Sequence, residues 1–205
     1  MSGVPAKAGQ VVPIRHVIAV FVGNGLEFYD FLTFSYFAVY IGRTFFPSHD
    51  PAAGLLASLA TFGIGFATRP VGAIIIGGMG DRVGRKPAML LSFSLMGVAI
   101  VGLALTPSFA QIGIAAPLLL LLLRVLQGIG IGGEWGGAVL MAYEYAPKEK
   151  RGFYASLPPI GLSLGFCLAS GAVAVLSSLL TDAQFPAWGW RRALLLSGVL
   201  VLGRW

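Results

Sequence analysis

The feature that most constrains this chain is a series of long apolar runs, each close to the length that crosses a lipid bilayer. A hydrocarbon core about 30 Å thick takes about 20 mostly apolar residues in helical form. On that measure spans fall near 17–41, 52–79, 88–106, 111–141 and 155–180, with a sixth run from Arg191 to Trp205. Turn signals separate them: Phe46 to Pro51, Gly80 to Pro87, Thr106-Pro107-Ser108, Pro147 to Gly152, and Phe185-Pro186. Composition agrees with lipid as the solvent. The chain is 57% hydrophobic and 11% charged, where a soluble domain carries about 25% charged residues. Its 29 glycines suit helices that approach one another closely. The expected fold is therefore an all-α integral membrane bundle. Residues 1–16 form a polar cytoplasmic segment, and 17–205 form the transmembrane part.

The sixth run is short. Arg191 to Trp205 is fifteen residues with three arginines, and a helix of that length covers about 22 Å. The expectation is five complete spans and a truncated sixth, in a fragment or a shortened reading frame.

Orientation follows from the basic residues. Lys7, Arg15, Arg82, Arg85, Lys86, Lys148, Lys150 and Arg151 fall in one set of alternate loops, eight in all, against Arg43, Arg191 and Arg192 in the other. This asymmetry places the amino terminus in the cytoplasm. The net charge of +6 comes from these loop clusters and does not point to nucleic acid.

Enzyme chemistry and cofactors are not expected. His16, His49 and Cys167 have no metal-ligand spacing, and Gly80 to Lys86 lacks the Gly-Lys-Ser/Thr ending of a phosphate-binding loop. Gly128, Gly130 and Gly133 match the dinucleotide fingerprint, but inside an apolar helix with no strand before it. Gly128, Gly132 and Gly136 at intervals of four read better as a close-packing helix face. Cys167, in an apolar run, reads as a buried, inert thiol.

The charges inside the apolar runs carry the function. Glu27 and Asp30 are three residues apart and share one face of the first span. A carboxylate at mid-depth is costly and marks a functional site by default, here a proton carrier or substrate contact. Arg69 lies near the same depth in the second span, where Pro70 can kink the helix, and it is the expected partner of Asp30. Arg124, Gln127 and Glu134 add a cation, an amide and a third acid in the fourth. The loop after the second span reads Gly77-Gly-Met-Gly-Asp81-Arg82-Val-Gly84-Arg85-Lys86. Gly84 allows a tight turn. Asp81 can cap the next helix or pair with an arginine, Arg85 being the candidate, and so hold helices together at a cytoplasmic gate.

That loop resembles the signature of the major facilitator superfamily at every specified position. Arg124-Val-Leu-Gln127-Gly128 resembles the superfamily's fourth-helix motif, whose arginine is implicated in proton coupling. Further matches are Gly25-Leu-Glu-Phe-Tyr-Asp-Phe, Thr68-Arg-Pro-Val-Gly, Gly132-Gly-Glu-Trp-Gly-Gly, Pro147 to Phe153 and Trp188-Gly-Trp-Arg. Together they resemble the metabolite:proton symporter family. The resemblance implies two six-helix halves, each of inverted three-helix repeats, with substrate at mid-membrane between them. It implies proton-coupled symport of organic acids or zwitterions such as citrate, 2-oxoglutarate, shikimate, proline or betaine. The setting is a bacterial inner membrane, and the partners are small molecules, protons and lipid. The chain departs from the family after Trp188-Gly-Trp-Arg, where Arg192-Ala193 follow, and it carries the amino-terminal half without the carboxy-terminal bundle. The alternative is a truncated membrane protein that does not transport.

The charge asymmetry makes a direct prediction. Lys86→Cys, in the loop expected to face the cytoplasm, should resist membrane-impermeant thiol reagents in intact cells. Fast labelling from outside would reverse the orientation.

Overall fold

In a computed structural model of the chain, residues 14–181 and 184–202 are described, and every element among them is helical. Lys7, Arg204 and most of the amino-terminal segment lie outside them. The elements are α1 (Ile14–Tyr36), α2 (Ala38–Phe45), α3 (Pro51–Ala67), α4 (Arg69–Arg82), α5 (Arg85–Leu105), α6 (Phe109–Ile112), α7 (Ala115–Tyr145), α8 (Arg151–Leu179) and α9 (Trp190–Leu202). Four stretches among the described residues are long and apolar enough to cross a membrane: Ala52–Arg82, Lys86–Leu105, Ala115–Glu134 and Ile160–Leu179.

Local chemistry sets the ends. Asp50 caps α3 by accepting from the Ala52 N–H at 2.9 Å, with Pro51 in the first turn where its missing N–H costs nothing. Ser108 and Gln111 form a capping box at α6. The loop expected from Gly80 to Pro87 is much tighter. Helix α4 runs to Arg82 and α5 begins at Arg85, leaving a two-residue corner at Val83-Gly84. Gly84 sits at φ 117°, where an L side chain would be strained, and Pro87 is tolerated in the first turn of α5. Gly84 is the N-cap residue of α5, and Asp81 stays exposed in the last turn of α4, three residues before it.

Two other turn signals resolve differently. Phe185-Pro186 is not a break: a π-helix, Phe185–Gly189, runs straight into α9, because proline fits the first helical positions. The run at 52–79 is two helices joined at Thr68. Pro70 has no N–H to offer the Phe66 carbonyl, and the Thr68 hydroxyl donates to Gly65 O at 2.9 Å.

Packing follows the small residues. Helix α7 lies against α4 where Gly72 and Gly132 leave no room for a Cβ, and against the end of α3 at Gly128: at Gly132 one would strike Arg69 O, and at Gly128 Gly65 O. Helix α1 crosses α8 at Gly25, Gly161 and Gly165, and α9 closes the bundle against α5 and α1. Phe34, Phe37, Ile41, Phe45, Leu103, Leu120, Trp190 and Leu194 fill the core between them. Outward faces of α3, α4 and α8 are apolar and exposed, among them Ile74, Leu164 and Val175. Cys167 is exposed on α8 and not buried as expected. In a bundle of apolar helices, an apolar neighbourhood marks an outward face as readily as the core.

Arg191 ties α9 to α5. Its Nη1 donates to Ala104 O and Thr106 O, both at 2.7 Å, at the carbonyl end of α5, while its guanidinium lies 4.6 Å from the Trp190 ring centroid. Arg191→Ala should lower stability by about 1–2 kcal/mol, because two carbonyls lose a charged donor. Thermal unfolding in detergent should show a lowered midpoint, partly restored by Arg191→Lys. An unchanged midpoint would mean that water replaces the tie.

Candidate functional site

The buried charges of α1, α4 and α7 converge at one place. Glu27 and Asp30 project from α1 with side chains 2% exposed each. Arg69 stands at the first position of α4, directly after the Thr68 junction, and Arg124 comes from the middle of α7. The pairing differs from the expectation. Asp30 does not meet Arg69. Its Oδ2 lies 3.6 Å from Arg124 Nη1 and accepts from Gln127 Nε2 at 2.5 Å. Glu27 Oε1 faces Arg69 Nη2 at 3.5 Å. The reason is height along α1. Three residues rise about 4.5 Å, nearly one turn, and each acid meets the cation that its own neighbouring helix presents at that level.

The two pairs are built differently. Arg124 donates to Gln127 Oε1, so Arg124, Gln127 and Asp30 form a closed triangle. Its guanidinium lies over the Phe34 ring at 3.7 Å and within 5.9 Å of Phe62, and these rings stack on each other at 5.2 Å. Aromatic faces thus replace the hydrogen bonds that Arg124 Nε and Nη2 lack. Arg124 is 5% exposed, Arg69 29%. Arg69 lies 4.3 Å from the Phe66 centroid, beside a cluster in which Phe31, Phe62 and Phe66 meet pairwise at 4.6–5.3 Å. Glu134, buried on α7, also acts electrostatically on Arg69.

Between the pairs lies a cavity of about 20 Å³, lined by Glu27, Asp30, Phe62, Arg69, Arg124 and Gln127 among others. That is room for roughly one water. A larger cleft, about 810 Å³, opens among the loops near Arg43, Thr106, Gln111 and Arg191, but it has no acid in its lining. No group of His, Cys, Asp and Glu suited to a metal occurs among the described residues.

Of the residues singled out from sequence, Glu27, Asp30, Arg69, Arg124, Gln127 and Glu134 belong to this one cluster. Gly77, Asp81, Arg82, Gly84, Arg85 and Lys86 lie apart from it, at the far end of α4 and the start of α5. The side chain of Arg85 lies outside the described part, so its pairing with Asp81 does too. The sequence assigned no role to Phe31, Phe34, Phe62 and Phe66, which surround the two cations here. The spacing of Phe34 four residues after Asp30, and of Phe66 four after Phe62, was the available signal.

Comparison with known proteins fits this geometry. The family described as "Sugar (and other) transporter" matches residues 16–202. The inner membrane metabolite transport protein YhjE of Escherichia coli K12 is 49% identical over 187 residues, covering 91% of this chain and 42% of that protein. The shikimate transporter of the same organism is 46% identical over 190 residues, covering 92% and 43%. The proline/betaine transporter of Salmonella typhimurium LT2 is 39% identical over 177, covering 86% and 35%. The chain thus spans about two fifths of the length of these relatives, which are transporters and not enzymes. Among solved structures, the inward-open xylose transporter XylE from E. coli superposes with a TM-score of 0.81 at 17% identity, over 93% of this chain and 46% of that one. At that identity the likeness concerns the fold. The chain is a membrane protein that belongs to the sugar (and other) transporter family of the major facilitator superfamily.

Proposed function

We propose that this bundle is the amino-terminal half of a symporter that carries a small organic acid or zwitterion together with protons across a bacterial inner membrane, with the amino terminus in the cytoplasm. The observation that carries the reading is the Asp30–Arg124–Gln127 triangle. An acid on α1 and a guanidinium on α7, both nearly inaccessible, are held together, and Arg124 lies in the stretch Ala115–Glu134 that is long and apolar enough to cross a membrane. Such a pair is costly to bury and is suited to opening when the acid takes up a proton, because a neutral acid no longer holds the cation. Relatives named for metabolite, shikimate and proline/betaine transport support the substrate class, and a neighbour titled a proton:xylose symporter supports the coupling. The small cavity at the triangle offers a water-sized path for the proton. The substrate is held between this bundle and a second one, and access alternates as the two rock about the shared site. The Asp81 to Lys86 corner serves as the cytoplasmic gate. One bundle offers half of such a site.

Two outcomes test the reading. In the bundle joined to a second half, reconstituted in proteoliposomes, Asp30→Asn should abolish uphill uptake of labelled shikimate or betaine driven by an imposed proton gradient, while downhill exchange persists. Unchanged accumulation would remove Asp30 from the coupling. In the chain itself, Arg124→Ala should destabilise by about 3–5 kcal/mol, since it leaves a buried carboxylate unpaired. The double change Asp30→Asn with Arg124→Gln should recover much of that loss. Equal stability of Arg124→Ala and the parent would show that the pair is not closed in the membrane.

A further inference from the structure

The second ion pair, Glu27 with Arg69, is unlike the first. Asp30 is bound by a cation and an amide donor. Glu27 has Arg69 at 3.5 Å, and its Oε2, though buried, has no hydrogen-bond partner. Arg69 is the more accessible of the two buried cations, and its Nε is also unpartnered. Beside it stands the wall of Phe31, Phe62 and Phe66, with open space over Gly63 one turn along α3. The adjoining cavity, at about 20 Å³, holds roughly a water and not a carboxylate group. A ligand carboxylate that takes the buried side of the Arg69 guanidinium, where its contact with Glu27 is made, must take the place of Glu27.

We propose that Arg69 is the anchor for the carboxylate of the transported solute, and that Glu27 is its resting counter-ion, which leaves as a neutral acid when the solute binds. The proposal rests on the transport reading and names the group that recognises the substrate. The step is an acid–base exchange that balances. The Glu27 carboxylate takes one proton from water, its contact with the guanidinium is lost, and the incoming carboxylate forms the new pair with no change in the charge of the site. Two parallel N–H donors on Arg69 suit a carboxylate, and the three rings receive an apolar or cationic body. The charged groups facing Glu27 support the exchange. Asp30 repels it from the same helix, Arg124 is committed to Asp30, and Glu134 on α7 acts on Arg69. The described part of α3 has no ionisable side chain, α8 carries Arg151, Tyr154 and Cys167, and α9 carries Arg191 and Arg192 at its start. Uptake of a proton at Glu27 thus removes a repulsion as well as freeing Arg69.

The test is equilibrium binding of cyclohexanecarboxylate, with cyclohexanecarboxamide as the uncharged control, to the full chain in nanodiscs across a range of pH in which the ligand stays ionised. One proton enters with each anion, so the affinity should rise as pH falls, by up to about tenfold per pH unit. The amide should not bind. Glu27→Gln should bind the carboxylate tightly at every pH, without the slope. Arg69→Gln should lose binding throughout, and Arg69→Lys should keep part of it with the slope intact. Infrared difference spectra of the parent should show a protonated carboxyl appearing on ligand addition, retained in Asp30→Asn and missing in Glu27→Gln. An unchanged pH slope in Glu27→Gln, unchanged binding in Arg69→Gln, or no carboxylate binding by the parent would overturn the proposal. Binding is read with no gradient imposed, which separates this outcome from the transport reading. In the bundle joined to a second half, uphill uptake that survives Arg69→Gln would sink the anchor and leave symport standing, and pH-linked binding with no uphill uptake by that joined protein would do the reverse.

Discussion

An ionised carboxylate inside a bilayer needs a cation, and in this chain two carboxylates on one helix draw two other helices to it. Placing Arg or Asp at the middle of a membrane helix costs about 2.5–3.5 kcal/mol on insertion scales. That cost is met only if α4 and α7 come close enough to α1 to deliver Arg69 and Arg124. Gly72 and Gly132 bring α4 close to α7, and Gly128 does the same for the end of α3 at Gly65 and Thr68. The glycines thus hold Arg69 and Arg124 on helices packed backbone to backbone, and from there the two guanidiniums reach the acids of α1.

The two ion pairs differ in how firmly they are held. Arg124 is enclosed by Asp30, Gln127 and two stacked rings. Arg69 has one acid at contact distance, one ring and an open side. A locked pair suits a step that must not leak, since only protonation loosens it. An exposed pair suits exchange of partners. Both sit within one helical turn of α1, so a change at either acid is felt electrostatically at the other.

Much of this was legible in the residues. The apolar runs located the helices, because lipid demands about 20 residues at a time, and the charges within those runs marked the site, because they are expensive there. The pairing was not legible. Glu27 and Asp30 share a helix face, so sequence alone could assign Arg69 to either, and the choice depends on the level at which α4 begins after Thr68. The aromatic residues around Arg124 were equally hidden, since a phenylalanine facing a guanidinium and one facing lipid look alike in a chain with 14 of them. Cys167 failed for the same reason in reverse. Hydropathy separates lipid from water and does not separate lipid from protein interior. The Phe185-Pro186 signal failed because proline breaks a helix it interrupts and not one it begins.

The junction at Thr68 has a mechanical consequence. Below it, α4 is a stiff rod of 14 residues, about 21 Å long, with Arg69 at one end and the Asp81-Arg82 corner at the other. If the rod swings about the junction by roughly 10°, its far end sweeps about 4 Å, while Arg69, next to the fulcrum, moves by only a fraction of that. The reverse also holds, because a small displacement at Arg69 is magnified at the far end. The charge site and the Asp81-Arg82 corner are thus the near and far points of one lever arm, with a ratio of travel set by where Pro70 interrupts the helix.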